Sequence, residues 1–185
     1  MIVAEQLDSL ALQALELAAR GATEPNPMVG AIIVSPSGEI LGRGWHHAAG
    51  KPHAEVEALQ DAVAAGRDVR GATMVVTLEP CNHFGRTPPC TEAILAAGIA
   101  HVHVALRDPN PIAAGGMERL EAAGVRTSIA GEEVRAAAAR QNEAFLRWVS
   151  RLDARPPAAE IRPRDESSAA SARDHSVESR TLPRR

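Results

Sequence analysis

The sequence contains no tyrosine, and it has only two phenylalanines and two tryptophans. Ala, Val, Leu and Ile must therefore fill most of the interior, a composition that suits alternating helices and strands. Cysteine is also scarce, with two in the whole chain. In a reducing compartment two thiols are more typical of metal ligands, catalytic groups or small buried residues than of a disulfide.

An excess of positive charge and a long apolar run are absent as well. The formal net charge is −3 and the basic residues are scattered, which disfavours a nucleic-acid partner and favours a small-molecule substrate. The first 20 residues carry Glu5, Asp8 and Glu16 where a signal peptide or membrane span would be basic and then apolar. We therefore expect a cytoplasmic protein with no nucleic-acid and no membrane partner.

Helical and strand-like patterns alternate along residues 1–150. Predicted helices cover 7–18, 53–65, 90–97, 116–123 and 132–148, and predicted strands cover 31–34, 39–45, 72–78, 101–106 and 125–130. In the second helix the spacing of Val56, Leu59 and Val63 marks the expected apolar face. The turn at 35–38 predicts a hairpin, and the later alternation predicts right-handed crossovers. The expected fold is α/β, a three-layer α/β/α sandwich with a mixed central sheet.

The composition changes beyond Arg151, where prolines mix with Arg, Asp, Glu and Ser, and large apolar residues become rare. Such a segment does not bury enough apolar surface to offset its chain entropy. We expect one catalytic domain over 1–150, a size that can bury a real core, and a disordered tail over 151–185.

Two segments carry residues suited to zinc chemistry. His53 and Glu55 open a predicted helix, and Cys81 and Cys90 are separated by eight residues in LEPCNHFGRTPPC. One imidazole and two thiolates suit zinc, and three protein ligands leave a fourth position for water, as in catalytic sites. Two thiolates cancel the zinc charge formally, so an external base becomes useful, and Glu55 is the candidate. Adding water to an amidine-like carbon and expelling ammonia is deamination.

The same four residues also allow a plain structural interpretation, with a surface histidine, a solvated glutamate and two buried cysteines. Their joint order favours the zinc site, because H-x-E followed by P-C-x-x-C is the pattern of zinc deaminases, although the cysteine spacing is longer here. Cys90 begins a predicted helix, whose unpaired amides and dipole favour its thiolate. We predict His53, Cys81 and Cys90 as zinc ligands and Glu55 as the proton carrier.

The chain resembles the pyrimidine deaminase domain of the riboflavin biosynthesis deaminase/reductase (RibD) family over residues 5–148. The resemblance is carried by TEPNPMVGAIIV, GEILGRGWHHAAGKPHAEVEAL, GATMVVTLEPCNHFGRTPPC and DPNP, in that order. It implies a cytidine deaminase-like fold with the zinc ligands and proton carrier named above. It also implies deamination of 2,5-diamino-6-ribosylamino-4(3H)-pyrimidinone 5′-phosphate to 5-amino-6-ribosylaminouracil 5′-phosphate.

The resemblance also implies substrate contacts at matching positions. These are Asn26, His46, His83, Arg86, Thr87, Asp108 and Asn110. The Asn26 amide suits a pyrimidine edge, and Arg86 with Thr87 offers a cation and a hydroxyl to a ribose phosphate. A turn or solvated-loop role stays open for each. His101 and His103 alternate on a predicted strand and are expected to be structural.

Partners and alternative functions follow from the same resemblance. The family commonly continues into an NADPH-dependent reductase domain, which the tail replaces here, so a separate reductase is an expected partner. Such deaminases assemble through helix faces, and the final helix with Phe145 and Trp148 predicts a homodimer or larger homo-oligomer. One alternative is deamination of a related aminopyrimidine or purine intermediate in a specialised pathway. Another is a non-catalytic nucleotide-binding module.

Overall fold

The computed structural model describes residues 2–84 and 88–153. The elements in chain order are α1 (Ala4–Ala18), β1 (Gly30–Val34), β2 (Ile40–Trp45), α2 (Ala54–Ala64), β3 (Thr73–Val76), α3 (Cys90–Ala96), β4 (His101–Val104), α4 (Gly116–Ala122), β5 (Arg126–Ile129), α5 (Glu132–Gln141) and α6 (Glu143–Asp153). Within these residues no helix is both long and apolar enough to cross a membrane.

The five strands form one mixed sheet in the order β2-β1-β3-β4-β5. β1 is antiparallel to both β2 and β3, whereas β3, β4 and β5 run parallel. The predicted hairpin is confirmed, since Gly30 at the start of β1 pairs with Trp45 at the end of β2. Parallel strands bring their carboxyl ends to one edge of the sheet, where ligands collect in folds of this class.

Helices cover both faces of the sheet, as predicted. On one face Met74 and Val76 pack in a core with alanines of α2, with Ile94 of α3 and with Leu120 of α4. On the other face Val75 packs with Leu7 of α1 and with residues of α5. Alternate residues of β3 thus point into opposite cores, as the two-residue period of a strand requires.

The buried face of α2 differs from the one predicted. Val63 is 74% exposed, whereas Ala54, Ala58 and Ala62 are fully buried. The reason lies in β2, where a Cβ on Gly44 would stand 2.3 Å from the backbone nitrogen of Ala58. Two glycines on the strand let the helix backbone approach closely, and only small helix residues fit that contact.

The predicted final helix is interrupted. Asn142 leaves helical geometry, with φ of −104° and ψ of 21°, and separates α5 from α6. Its side chain hydrogen-bonds to the backbone of Met28, a residue distant in the sequence. α6 includes residues 151–153, which we had assigned to the tail. Residues 154–185, the rest of that predicted tail, lie outside the described part of the chain.

Candidate metal centre and active site

The three predicted ligands meet in space. Nδ1 of His53 lies 3.6 Å from Sγ of Cys81 and 3.3 Å from Sγ of Cys90, and all three ligand atoms lie within 4.8 Å of one another. A tetrahedral zinc site with Zn–S of about 2.3 Å and Zn–N of about 2.0 Å places nitrogen and sulfur about 3.5 Å apart. The donor set and its spacing therefore fit zinc. No other such cluster occurs among residues 2–84 and 88–153.

Each ligand is placed by the end of an element. His53 is the residue before α2, with an extended backbone at φ −75° and ψ 163°. Glu55 lies in the first turn of α2. Positions i and i+2 within one helix face different directions, but His53 is outside the helix, so the two side chains can converge. Cys81 follows β3, and Cys90 is the first residue of α3.

The two sulfurs share their proton unequally. The pKa of Cys81 is lowered to about 4, chiefly by the hydrogen bond from the Cys90 thiol and then by His53. The pKa of Cys90 is raised, because its thiol donates to Cys81 and is buried. The amide of Cys90 also donates to Sγ of Cys81, at 3.4 Å. The first amide of α3, which we expected to favour the Cys90 thiolate, is directed instead to the neighbouring sulfur.

Glu55 is buried beside the ligands, with 3% of its surface exposed. Burial raises the pKa of Glu55 to about 7, and the neighbouring Cys81 thiolate adds to the shift, while His53 opposes it. A carboxyl group with a pKa near neutrality can both accept and release a proton at physiological pH. Glu55 therefore has the properties of a general acid–base group.

A cavity of about 270 Å³ opens onto this centre. It is lined by His53, Glu55 and Cys81, and by five of the predicted substrate contacts: Asn26, His46, His83, Asp108 and Asn110. The structure thus brings these five together at the metal centre, while their binding roles stay predictions. Arg86 and Thr87, the other two predicted contacts, lie outside the described residues.

Hydrogen bonds fix how His46 and Asn26 face the cavity. Nδ1 of His46 lies 3.0 Å from the Pro52 carbonyl oxygen, which can only accept, so Nδ1 carries the proton. Nε2 is then an acceptor, and the Asn26 amide nitrogen donates to it at 3.4 Å. Burial lowers the pKa of His46, in keeping with a neutral ring. This orientation leaves the Asn26 side-chain oxygen available to accept from a ligand.

The strand-exit turn presents Asp108 and Asn110. Oδ1 of Asp108 accepts the Asn110 amide at 2.9 Å, and Oδ1 of Asn110 accepts the Ile112 amide at 3.1 Å. Burial raises the pKa of Asp108. Nδ1 of His83 is buried without a hydrogen-bond partner in the described part of the chain. Asp108 and Asn110 thus stabilise the turn, and together with His83 they retain polar atoms that can bind a ligand in the cavity.

Three polar or aromatic residues of the cavity wall, Glu79, Phe145 and Trp148, were not among the predicted site residues. Glu79 is 4% exposed, and its carboxylate accepts the Asp108 amide at 3.3 Å and the Met117 amide at 3.1 Å. It thereby joins the loop of Cys81 to the loop of Asp108, and its place in Glu-Pro-Cys was the available signal. Phe145 and Trp148 of α6 also line the cavity. Phe145, which we had assigned to an assembly face, is buried.

His101 and His103 lie outside the cavity lining. Both rings contact Oγ of Ser128 at 2.8 Å, and His103 also contacts Asp8 of α1 at 3.0 Å. Burial lowers the pKa of both histidines. Both histidines join β4 to β5, and His103 also joins the sheet to α1, in agreement with the structural role predicted for them.

Known proteins share this arrangement. The model of a family described as the cytidine and deoxycytidylate deaminase zinc-binding region matches residues 4–106, more than half of the chain. The chain belongs to this deaminase family. It therefore carries the zinc-binding region of the family, and His53, Cys81 and Cys90 form a site that can hold the ion.

Relatives within the family agree with the predicted resemblance. The deaminase-family chain is 54% identical over 126 residues to the riboflavin biosynthesis protein RibD of Synechocystis, which covers 68% of this chain and 33% of that protein. Overall, the chain spans about a third of the length of the curated relatives it matches.

Solved structures extend the likeness to the fold. A diaminohydroxyphosphoribosylaminopyrimidine deaminase/5-amino-6-(5-phosphoribosylamino)uracil reductase from Thermotoga maritima matches with a TM-score of 0.76 and 37% identity, over 80% of this chain and 42% of that one. RibD of Acinetobacter baumannii matches with a TM-score of 0.72 and 46% identity, over 79% and 40% of the two chains. The predicted cytidine deaminase-like fold is confirmed.

Proposed function

We propose that the protein deaminates 2,5-diamino-6-ribosylamino-4(3H)-pyrimidinone 5′-phosphate to 5-amino-6-ribosylaminouracil 5′-phosphate, a step of riboflavin biosynthesis. The observation that carries the proposal is the convergence of a His-Cys-Cys ligand set with buried Glu55 in one cavity. The likeness to RibD proteins supports the substrate. One water is consumed and one ammonia is released for each substrate.

His53, Cys81 and Cys90 would hold the zinc. When bound, zinc supplies an activated water as the nucleophile at neutral pH. The Glu55 carboxylate lies beside the ligands and would take one proton from the attacking water and deliver it to the ring nitrogen beside the reacting carbon. Glu55 would then take the remaining proton from the hydroxyl added to the carbon and give it to the departing amino group as the carbon–nitrogen bond breaks, so that both protons of the water are accounted for. A pKa near 7 suits both transfers, because each form of the carboxyl group is well populated.

The remaining groups orient the substrate. Asn26, held by His46, offers its side-chain oxygen to an amino or ring N–H donor of the pyrimidine. Asp108 and Asn110 face the same cavity and suit ribose hydroxyls or ring substituents. Arg86 and Thr87 suit the 5′-phosphate, because a guanidinium and a hydroxyl are strong donors to phosphate oxygens.

The test is ammonia release from the diaminopyrimidine by zinc-loaded protein, with Glu55→Gln as the decisive variant. We expect Glu55→Gln to keep stoichiometric zinc and to lose about 10²- to 10⁴-fold in kcat, the usual contribution of a general acid–base group. Glu57→Gln is the matched control, since Glu57 lies on the same helix turn and pairs with His47 at 3.8 Å. Wild-type kcat in Glu55→Gln would refute the mechanism.

An alternative function is deamination of a related aminopyrimidine or purine. The same assay with a panel of such substrates distinguishes it from the proposed function. Stoichiometric zinc and ligand binding without ammonia release from any of them would favour the non-catalytic module.

We also propose a homodimer or larger assembly and a separate reductase that consumes the product. Sedimentation and a coupled NADPH assay test these two. The reduced Cys81 and Cys90 pair suits a cytoplasmic setting.

A further inference from the structure

The break between α5 and α6 serves the substrate cavity. Asn142 at the break is 3% exposed. Its side-chain oxygen accepts the Met28 amide at 2.8 Å, and its side-chain nitrogen donates to the Met28 carbonyl at 3.0 Å. One amide side chain thereby satisfies both backbone groups of a residue 114 positions away. Asn142 fastens the segment before β1 to the start of α6.

That segment carries the predicted substrate contact Asn26, between Pro25 and Pro27. Its other end is held by Thr23, whose carbonyl accepts the Asn26 amide at 2.8 Å and whose hydroxyl donates to the Asn26 carbonyl at 3.0 Å. Asn142 holds the end nearer to β1. The position of the Asn26 side chain relative to His46 therefore depends on both fastenings, and only one of them is local in sequence.

α6 is itself a wall of the cavity. Phe145 and Trp148 follow Asn142 at intervals of three residues, line the cavity and lie 6.2 Å apart between ring centroids. Pro25, Asn26 and Pro27 line the cavity as well. Asn142 thus joins two parts of the lining, the loop of Asn26 and the aromatic residues of α6. Loosening it would shift both relative to the metal ligands, which lie on other elements.

We propose that Asn142 is a positioning residue for substrate recognition, which fixes the Asn26 loop and α6 as one wall of the cavity. This inference rests on the proposed function. Asn142 does not line the cavity at the metal centre, although it lines an adjoining cavity that shares Asn26, Phe145 and Trp148 with it. At the metal centre it acts through those three shared residues. Loss of the Asn142 side chain is expected to leave the metal ligands and Glu55 in place. It should therefore raise KM without changing kcat or the zinc content.

The test compares two variants of Asn142 with a neighbour in the full-length zinc-loaded protein. Asn142→Ala removes both hydrogen bonds, whereas Asn142→Asp keeps the shape and an acceptor but cannot donate to the Met28 carbonyl. Gln141→Ala is the matched control, because Gln141 sits at the same helix end and donates to Leu15 of α1 at 2.9 Å. Zinc content, kcat, KM and deuterium uptake of segment 26–29, at the amides of Asn26, Met28 and Val29, are measured.

We expect KM to rise about 10- to 100-fold in both Asn142 variants, the range for a displaced positioning contact, with kcat within twofold and zinc unchanged. Uptake at Met28 should accelerate most in Asn142→Ala, which removes the acceptor of that amide, and less in Asn142→Asp, which keeps an acceptor but loses the bond to the Met28 carbonyl. Gln141→Ala should match wild type in KM and uptake. Wild-type KM in Asn142→Asp, or an equal KM rise in Gln141→Ala, overturns the inference. If Asn142→Ala does not fold, Asn142→Asp decides the matter.

Failure of the proposed function has a different signature. A wild-type protein that binds zinc and releases no ammonia from the diaminopyrimidine would overturn the substrate assignment. Deuterium uptake would still test the fastening, because it needs no turnover. Unchanged uptake at 26–29 in both Asn142 variants would overturn the role of Asn142 whatever the substrate. Accelerated uptake confined to those variants would support it.

Discussion

Replacing Gly44 by alanine tests how the metal ligands are held at their distances. The new Cβ would stand 2.3 Å from the Ala58 nitrogen and 2.4 Å from the Ala54 carbonyl oxygen, both backbone atoms of α2. Ordinary van der Waals contact begins at 3.4 Å. Because the interior is close-packed, neighbouring atoms cannot absorb the clash, and α2 must move away from β2 by about 1 Å. His53 and Glu55, at the start of α2, would move with it.

The expected effects of Gly44→Ala follow from that displacement. Overpacking a core costs about 1–3 kcal/mol, and a clash with helix backbone belongs at the upper end, near 3 kcal/mol. For a domain of this size, that corresponds to a fall in Tm of about 6–12 °C. Zinc sites tolerate ligand shifts of about 0.2 Å, so zinc affinity should fall by at least about 10- to 100-fold, as when ligand orientation is disturbed.

Thermal unfolding of the metal-free protein and zinc competition against a chelator measure the two effects separately. Arg43→Ala is the control, because Arg43 precedes Gly44 on β2 and is exposed. It should leave Tm and zinc affinity near their wild-type values. A Gly44→Ala protein with wild-type Tm and zinc affinity would refute the idea that close approach of α2 to β2 sets the ligand geometry.

Two further predictions concern the metal and acid stability. Cys90→Ser should lose at least about 100-fold in zinc affinity, because zinc prefers thiolate to a neutral hydroxyl; a wild-type zinc affinity in competition against a chelator would contradict it. Burial lowers the pKa of His101 to about 4 from 6.5, so its contribution to stability is complete above pH 6.5 and is lost as pH falls toward 4. His101→Gln should therefore lose about 1–2 kcal/mol less stability than wild type between pH 6.5 and pH 4, after allowance for solvent screening. Equal losses in the two proteins, measured by urea unfolding at both pH values, would contradict this prediction.

The fold and ligand set could be predicted because their signals are local. The turn between β1 and β2 lies between two strand-like runs, and the two halves of the zinc pattern each occupy one short segment. His53, Cys81 and Cys90 converge because each lies at the end of an element at one edge of the sheet. The face of α2 could not be read in the same way. Periodicity identified its larger apolar residues, whereas contact with Gly44 selected its alanines.

Long-range hydrogen bonds account for the remaining differences. Asn142 is an ordinary polar residue within a helical pattern, and at the helix break its side chain hydrogen-bonds to the Met28 backbone, 114 positions away. The amide of Cys90 likewise donates to Cys81, nine positions earlier, so the start of α3 stabilises the other sulfur. In both cases the group that needs a partner was visible in the sequence, and the partner was not. Chemistry that depends on residue identity can therefore be predicted here, while placement that depends on a distant backbone group requires the fold.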